Sequence, residues 1–133
     1  MKSTNTSLPE RLPDTMLDIM LVLWSENRPM KATEILRELS TKHNWKRATL
    51  HVLLGRLEER GFIQAENESN YKRYYPLISE DEYISLESKT ILHKLCRGSF
   101  STLVTSLIRS RSLTDENLQE LSTLLETKEK DSQ

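Results

Sequence analysis

Leucine, isoleucine and methionine recur at helical spacing through the first part of the chain. The stretch NWKRATLHVLLGRLEERGF, from Asn44 to Phe62, is the strongest case. Its stripe follows the i, i+3, i+4, i+7 pattern of a helix buried on one side, with Leu50, Leu53, Leu54 and Leu57. Two shorter patterns precede it, one opening at Pro13–Asp14 and one covering Lys31–His43. The pattern therefore predicts three consecutive helices.

Two runs of strand-like residues follow the third helix. Gly61 suits the position just after a helix end, and FIQAE is separated from YKRYYP by the polar turn NESN. Three helices followed by a β-hairpin make a winged helix-turn-helix, in which the third helix enters the major groove of DNA and the hairpin touches the backbone beside it. We therefore predict a flexible N-terminus at residues 1–11 and a winged-helix DNA-binding domain at residues 12–76.

The remaining residues have a helical pattern, so the predicted fold class is mainly α, with a C-terminal region of three helices. Ser79 and Glu82 form a capping-box pair, RGS at residues 97–99 ends the first helix, and Thr114 is the N-cap of the last. The apolar positions are Ile84, Ile91, Leu92, Leu95, Phe100, Leu103, Val104, Leu107, Ile108, Leu118, Leu121 and Leu125.

Such short, one-sided helices cannot bury their apolar stripes alone. Pairing with a second copy is the usual solution, through a closed two-fold interface. We therefore predict a helical dimerisation domain at residues 77–126, followed by a polar tail at residues 127–133. The alternative is a monomer in which this region folds back on the N-terminal domain.

The side of the third helix opposite its leucines is small and bordered by polar groups. Ala48, Val52 and Gly55 would let the helix approach base edges closely, and small apolar groups pack on thymine methyl groups. The candidates for contacts with base edges or phosphates are Lys42, Lys46, Arg47, Thr49, His51 and Arg56, with Lys72 and Arg73 on the second wing strand. The alternative is that the leucine stripe reflects only ordinary packing in a small helical protein.

Composition adds little to this interpretation. A hydrophobic content of 36% and a charged content of 29% fit a globular chain rather than a disordered one. The net charge of −1 does not by itself indicate a nucleic-acid partner. Residues 1–76 contain 12 Lys and Arg against 10 Asp and Glu, and the remainder contains 7 against 10. The small basic excess therefore lies in the predicted DNA-binding part.

The sequence lacks the signatures of enzymes and metal sites. The single cysteine, Cys96, excludes an intrachain disulfide and a thiolate metal site. His43, His51 and His93 do not have metal-binding spacing, and the 3 glycines cannot form a glycine-rich phosphate loop. No enzyme activity, cofactor or metal is predicted. The longest apolar run, Ile19–Trp24, is too short to span a bilayer, so a cytoplasmic protein without membrane contact is expected.

Three segments in combination carry a family resemblance: MLVLWSENRPMKATEILREL, WKRATLHVLLGRLEERGFI and YYPLISEDEY. They are similar to the BlaI/MecI/CopY family of penicillinase and methicillin-resistance repressors, and the likeness runs from about Leu12 to Leu125. The resemblance implies a homodimeric winged-helix repressor with interlocked C-terminal helices that binds a palindromic operator in double-stranded DNA. Some family members respond to a membrane sensor that triggers their cleavage, and a copper-responsive branch has a cysteine-rich tail.

The chain departs from the family where the reading helix begins. The family usually has Ser-Pro-Lys-Thr where this chain has Lys46, Arg47, Ala48 and Thr49, so a lysine reader is replaced by alanine. We therefore expect a different operator sequence. Readout is expected to depend on Thr49, His51, Arg56 and thymine methyl contacts.

The inducing signal also departs from the family pattern. The cleaved family members are cut at an Asn-Phe bond, and the matching bond here is Ser106–Leu107. The sequence therefore does not predict a proteolytic switch, and an upstream sensor or protease and the inducing signal stay open. The segment LLETKEKDSQ has no cysteine, so copper sensing through a cysteine-rich tail is not expected.

Two classes of function compete. The favoured one is a repressor that occupies an operator, and the other is a winged-helix protein-interaction module that does not read DNA. Salt dependence distinguishes them, because a DNA reader releases bound counterions and loses affinity steeply as salt rises.

Overall fold

A computed structural model describes residues 11–131 of the chain, and the side chains of residues 11–129. The predicted flexible N-terminus therefore lies outside the described residues, except for Arg11. The chain forms two compact units, the first ending at Glu87 and the second beginning at Ser88. Within the described residues, no helix is long and apolar enough to cross a membrane.

The first helix, α1, spans Asp14–Glu26 and confirms the pattern that opens at Pro13. The Pro13 carbonyl accepts the Leu17 N–H at 2.9 Å, so proline precedes the helix without costing it a hydrogen bond. Asn27 ends the helix in the left-handed region at φ 53°, and its N–H donates to the Leu23 carbonyl at 3.1 Å.

The second helix is shorter than predicted. A two-residue strand, β1, occupies Met30–Lys31, and α2 covers only Ala32–Leu39. The prediction of a helix over Lys31–His43 is therefore wrong at both ends. At the start, Lys31 pairs with a later strand as part of a sheet. At the end, the helix stops at Leu39, and the hydroxyl of the next residue, Ser40, donates to the Arg37 carbonyl at 2.7 Å.

The third helix, α3, spans Arg47–Glu59 and buries its predicted leucine stripe. Its end confirms the role predicted for Gly61, which lies past the helix at φ 80°. The Gly61 N–H donates to the Glu58 carbonyl and the Phe62 N–H donates to the Leu57 carbonyl, both at 3.0 Å. These two bonds form the Schellman motif, which a glycine accommodates without strain.

The hairpin is confirmed and consists of β2, Ile63–Glu68, and β3, Tyr71–Pro76. The predicted four-residue turn is wrong in length, because Asn67 and Glu68 pair with β3 and only residues 69–70 form the turn. The two strands are antiparallel, with Ala65 opposite Tyr74, and β1 pairs with the other edge of β3. The sheet order is thus β1-β3-β2. The β2–β3 hairpin is called the wing below.

The core of the first unit lies between the three helices and one face of the sheet. Its buried side chains are Leu12, Met16, Ile19, Met20, Leu23, Met30, Ile35, Leu39, Leu50, Leu53, Leu54, Leu57, Phe62, Ile63, Tyr74 and Tyr83. Trp24 and Trp45 are partly buried and pack against this core.

The fourth helix, α4, spans Glu80–Thr90, so it begins in the first unit and ends in the second. The predicted capping box is confirmed: the Ser79 N–H donates to Glu82 at 2.8 Å, and the Glu82 N–H donates to the Ser79 hydroxyl at 3.1 Å. Tyr83 is buried, and its hydroxyl accepts the Leu12 N–H at 2.8 Å. The first unit therefore extends past residue 76.

We expect Tyr83→Phe to lower the free energy of unfolding by about 1–3 kcal/mol, because it leaves the buried Leu12 N–H without an acceptor. Burial raises the pKa of Tyr83 to about 12, so the phenol is neutral near neutral pH. Tyr75→Phe is the matched control, since Tyr75 is a half-buried residue whose hydroxyl makes no hydrogen bond with the described residues. If urea titrations gave equal losses of unfolding free energy for the two variants, the stabilising role assigned to the Tyr83 hydroxyl would be contradicted.

The sequence pattern predicts a regular α-helix that continues through Leu95, and the structure differs from this prediction in the last turn. Ile91–Leu95 form a π-turn, in which the Cys96 N–H donates to the Ile91 carbonyl at 2.9 Å. The widened turn precedes a left-handed pair, Arg97 at φ 54° and Gly98 at φ 82°, that reverses the chain. The prediction that RGS ends this helix is confirmed.

Two further helices complete the second unit. The first, α5, spans Phe100–Arg109 and contains the Ser106–Leu107 bond. The second, α6, spans Asp115–Asp131, so residues 127–131 of the predicted polar tail are helical. The N-cap role predicted for Thr114 is confirmed, because its hydroxyl accepts the Asn117 N–H at 3.1 Å.

None of the described side chains in the second unit is fully buried. The predicted dimerisation positions are all exposed or half-buried, and Leu95 reaches 77% exposure. A groove of about 440 Å³ between α5 and α6, called the C-terminal groove below, is lined mainly by apolar side chains: Phe100, Leu103, Val104, Leu107, Leu113, Leu121 and Leu124. Leu113 and Leu124 lie outside the predicted set.

Candidate nucleic-acid interface

The exposed side of α3 carries most of the residues predicted to read DNA. Because the four leucines face the core, the opposite side of the helix faces solvent. We call this side the reading face, and its members are Ala48, Thr49, His51, Val52, Gly55 and Arg56. Lys46 precedes the helix at its N-cap and Arg47 is its first residue, and both are exposed.

The centre of the reading face is small and open. A Cβ added at Gly55 would have no heavy atom within 4 Å apart from its own helix and chain neighbours, so the glycine is not required by packing. Val52 is 54% exposed, although valine is an apolar side chain. The face therefore offers a shallow apolar surface bordered by hydrogen-bond donors.

A cleft of about 340 Å³ lies beside the reading face, where the start of α2, the side of α3 and the wing meet. We call it the basic cleft. Its lining consists of Lys31, Ala32, Thr33, Arg47, His51, Asn70, Tyr71, Lys72 and Tyr74. Lys31, Arg47 and Lys72 are basic residues, and no acidic side chain from residues 11–129 is among those that line the cleft.

The two predicted wing cations lie in different surroundings. Lys72 lines the basic cleft, whereas Arg73, the next residue of the strand, does not. The Arg73 guanidinium donates to the Tyr71 hydroxyl at 3.4 Å and lies 5.4 Å from the centre of that ring. Arg73 also stands opposite Glu66 on β2. The structure therefore brings Lys72, but not Arg73, together with Arg47 and His51.

Several residues of the basic cleft were not predicted from the sequence. Lys31 belongs to the short strand β1 and Thr33 to the start of α2, whereas Asn70 lies in the wing turn and Tyr71 is the first residue of β3. The Lys31 ammonium lies 4.2 Å from the centre of the Tyr71 ring, a cation–π contact that links β1 to the wing. The only sequence signal for this contact was a lysine at the first position of a predicted helix.

The start of α2 is fixed beside the basic cleft by a charged cluster. The Glu34 carboxylate accepts the Lys31 N–H at 2.9 Å and the Arg28 guanidinium at 3.3 Å. The Lys31 N–H bond and the Arg28 guanidinium hold the pKa of Glu34 below its ordinary value. The cluster orients the first turn of α2 without placing a carboxylate in the cleft.

We expect the Glu34 cluster to contribute to acid unfolding. Because the folded pKa lies below the ordinary value of 4.5, the contribution is present above that pH and is lost as pH falls through the folded pKa. Glu34→Gln should therefore flatten the fall in unfolding free energy as the pH drops below 4.5. Glu38→Gln on the same helix is the control, since Glu38 forms no ion pair among the described residues. Identical acid profiles for wild type and Glu34→Gln would contradict this role.

Three helices, a wing and an exposed reading face define the first unit as a winged helix-turn-helix domain, which confirms the predicted fold class. The sequence model of the penicillinase repressor family matches residues 14–127. The chain therefore belongs to that family, and the BlaI/MecI/CopY resemblance is confirmed.

Two relatives show the extent of the similarity. The methicillin resistance regulatory protein MecI of Mammaliicoccus sciuri is 26% identical over 111 residues, which cover 84% of this chain and 89% of that protein. The penicillinase repressor of Bacillus licheniformis is 28% identical over 116 residues, which cover 87% of this chain and 90% of that protein.

A solved structure resembles the first unit. The solution structure of the DNA-binding domain of the repressor BlaI has a TM-score of 0.50 and 28% sequence identity, and it covers 58% of this chain and 92% of that chain. The similarity supports the winged-helix assignment independently of the sequence pattern.

Proposed function

We propose that this protein is a transcriptional repressor that binds a palindromic operator in double-stranded DNA as a homodimer. The observation that carries the proposal is the exposed, uncharged centre of the reading face, bordered by donors and placed directly beside the basic cleft. The relatives, a penicillinase repressor and a methicillin resistance regulator, support the same class of function.

In the proposed complex, α3 lies in the major groove. Ala48 and Val52 contact thymine methyl groups, because both are small, apolar and exposed. Thr49, His51 and Arg56 carry the hydrogen-bonding groups that distinguish base edges. Arginine pairs best with guanine, which presents two acceptors in the major groove.

The basic cleft receives the phosphodiester backbone beside that groove. Arg47 and Lys72 supply charge from two sides, and Thr33 supplies a hydroxyl donor at the start of α2. Such contacts fix register and orientation and supply much of the affinity. Arg73, turned toward Tyr71, contributes to the wing's own structure rather than to the cleft.

The second unit forms the dimer. An isolated unit without any fully buried side chain leaves its apolar surface in water, and a second copy can cover it. The C-terminal groove is the centre of the proposed interface. A two-fold dimer presents two copies of α3 to the two halves of a palindrome.

Gly55→Ala tests the close approach of the reading face to DNA. We expect the variant to raise the free energy of unfolding by about 0.4–1 kcal/mol, because alanine lowers the entropy of the unfolded chain and its Cβ meets no atom here. The same methyl group stands on the reading face, so operator affinity should fall while stability rises.

The comparison is made by urea titration and by fluorescence anisotropy with a selected duplex. Ser85→Ala, at an exposed position of α4 outside the reading face, is the control for a helical substitution that leaves DNA affinity unchanged. Undiminished affinity in Gly55→Ala would show that this part of the face does not approach DNA.

A further inference from the structure

The turn between α2 and α3, residues 40–46, determines where the reading helix begins. The N-cap of α3, Lys46, makes no side-chain capping hydrogen bond. The first intrahelical bond, from the Leu50 N–H to the Lys46 carbonyl, has a length of 3.3 Å. Because no local cap fixes the first turn, its position depends on contacts that the preceding turn makes with the rest of the unit.

One such contact joins the turn to α1. The His43 ring nitrogen Nε2 lies 2.7 Å from Asp18 Oδ2, and the Lys42 ammonium lies 3.5 Å from Asp18 Oδ1. An ionised carboxylate only accepts hydrogen bonds, so Nε2 carries the proton and donates. The Asp18 side chain is 18% exposed and that of His43 is 24% exposed. The pair is thus largely shielded from solvent, where a charge-assisted hydrogen bond is stronger than on an open surface.

The same histidine is coupled to the start of α3. Its ring stacks on Trp45, with the ring centres 4.2 Å apart and the planes 13° from parallel. Trp45 packs against the core and lies two residues before Arg47, the first residue of α3. A path of direct contacts therefore leads from Asp18 on α1, through His43 and Trp45, to the first turn of the reading helix.

We propose that Asp18 and His43 form a clasp that positions the first turn of α3 for operator recognition, and that protonation of His43 tightens it. Asp18 is a positioning residue in this proposal, since it lies on α1 and outside both the reading face and the basic cleft. The inference rests on the proposed function for its consequence in DNA binding, but the clasp itself exists in the free protein.

The charges around the clasp determine the direction of its pH dependence. Lys42 faces Asp18 from the turn, and Glu38 on α2 lines the same groove of about 170 Å³ between α1 and α2. The hydrogen bond from His43, followed by the charge of Lys42, lowers the pKa of Asp18, so the carboxylate stays ionised near neutral pH. A charged imidazolium attracts the Asp18 carboxylate more strongly than a neutral ring does, so protonation of His43 strengthens the clasp.

The clasp is tested first in the free protein by amide hydrogen exchange. In Asp18→Asn, exchange at Leu50 and His51 should accelerate roughly threefold to tenfold over wild type at about pH 5.5, and by a smaller factor at about pH 8. Asp14→Asn is the control, because it makes the same substitution on the same helix without touching the turn. Unchanged exchange in Asp18→Asn, or equal acceleration in Asp14→Asn, would overturn the clasp.

The consequence for DNA binding is then measured in a His51→Gln background, so that the histidine on the reading face does not contribute to any pH dependence. The operator dissociation constant of Asp18→Asn should exceed that of its parent roughly threefold to tenfold at about pH 5.5, and by a smaller factor at about pH 8. A ratio of the two constants that does not change with pH would overturn the protonation dependence. Absence of sequence-specific DNA binding by the wild type would refute the proposed function, and the exchange experiment would still decide on the clasp.

Discussion

Replacing Leu54 with alanine is expected to lower the free energy of unfolding of the first unit by about 2–5 kcal/mol. Leu54 is only 1% exposed and lies in the middle of the leucine stripe that packs α3 onto the core. The loss has two parts, the apolar surface no longer buried and the cavity left by the missing carbons. Because small domains have a stability of about 5–15 kcal/mol, the variant should unfold at a much lower urea concentration.

Val52→Ala on the same helix is the matched control. Val52 faces solvent, so the same kind of truncation should change the free energy of unfolding by less than about 0.5 kcal/mol. Its effect is expected in DNA recognition, where the preference for thymine at one base step should weaken. Comparable destabilisation by the two variants would mean that the two sides of α3 are assigned wrongly.

Replacing Leu107 with aspartate is expected to raise the dimer dissociation constant at least about 100-fold, since burying an unpaired carboxylate costs several kcal/mol. Leu107 lines the C-terminal groove, the proposed centre of the interface. Sedimentation over a range of protein concentrations measures the shift from dimer to monomer. Circular dichroism at the same concentrations shows whether the helices persist.

Thr105→Asp supplies the control for the added charge. Thr105 lies two residues earlier on α5, is exposed and does not line the C-terminal groove. Its variant should dimerise as the wild type does. A wild-type protein that is monomeric at all concentrations, or a Leu107→Asp variant that dimerises normally, would contradict the proposed interface.

The parts of the fold that sequence predicts well are those set by local patterns. The leucine stripe of α3 depends on helical spacing, and the Gly61 end and the Ser79–Glu82 capping box depend on residues within a few positions of each other. The hairpin also follows from adjacent strand-like runs around a polar turn. Each of these features depends on residues that are close together in the chain, so a local sequence pattern is enough to predict it.

The parts that sequence missed depend on contacts between distant residues. Nothing local distinguishes Met30–Lys31 from a helix start, because β1 exists only through its pairing with β3. The basic cleft likewise combines Lys31 and Thr33 with the wing turn, and the contact between Asp18 and His43 joins residues 25 positions apart. The π-turn after α4 was missed since the apolar spacing there also fits a regular helix.

The central claim is tested most directly by selecting bound duplexes from a random DNA pool with the purified protein and titrating the selected duplex at two salt concentrations. We predict a palindromic consensus and an affinity that falls steeply with salt, with a logarithmic slope of about −0.9 for each phosphate neutralised. Failure to enrich any sequence, together with weak binding that does not respond to salt, would contradict the account. The reading face would then serve a protein partner.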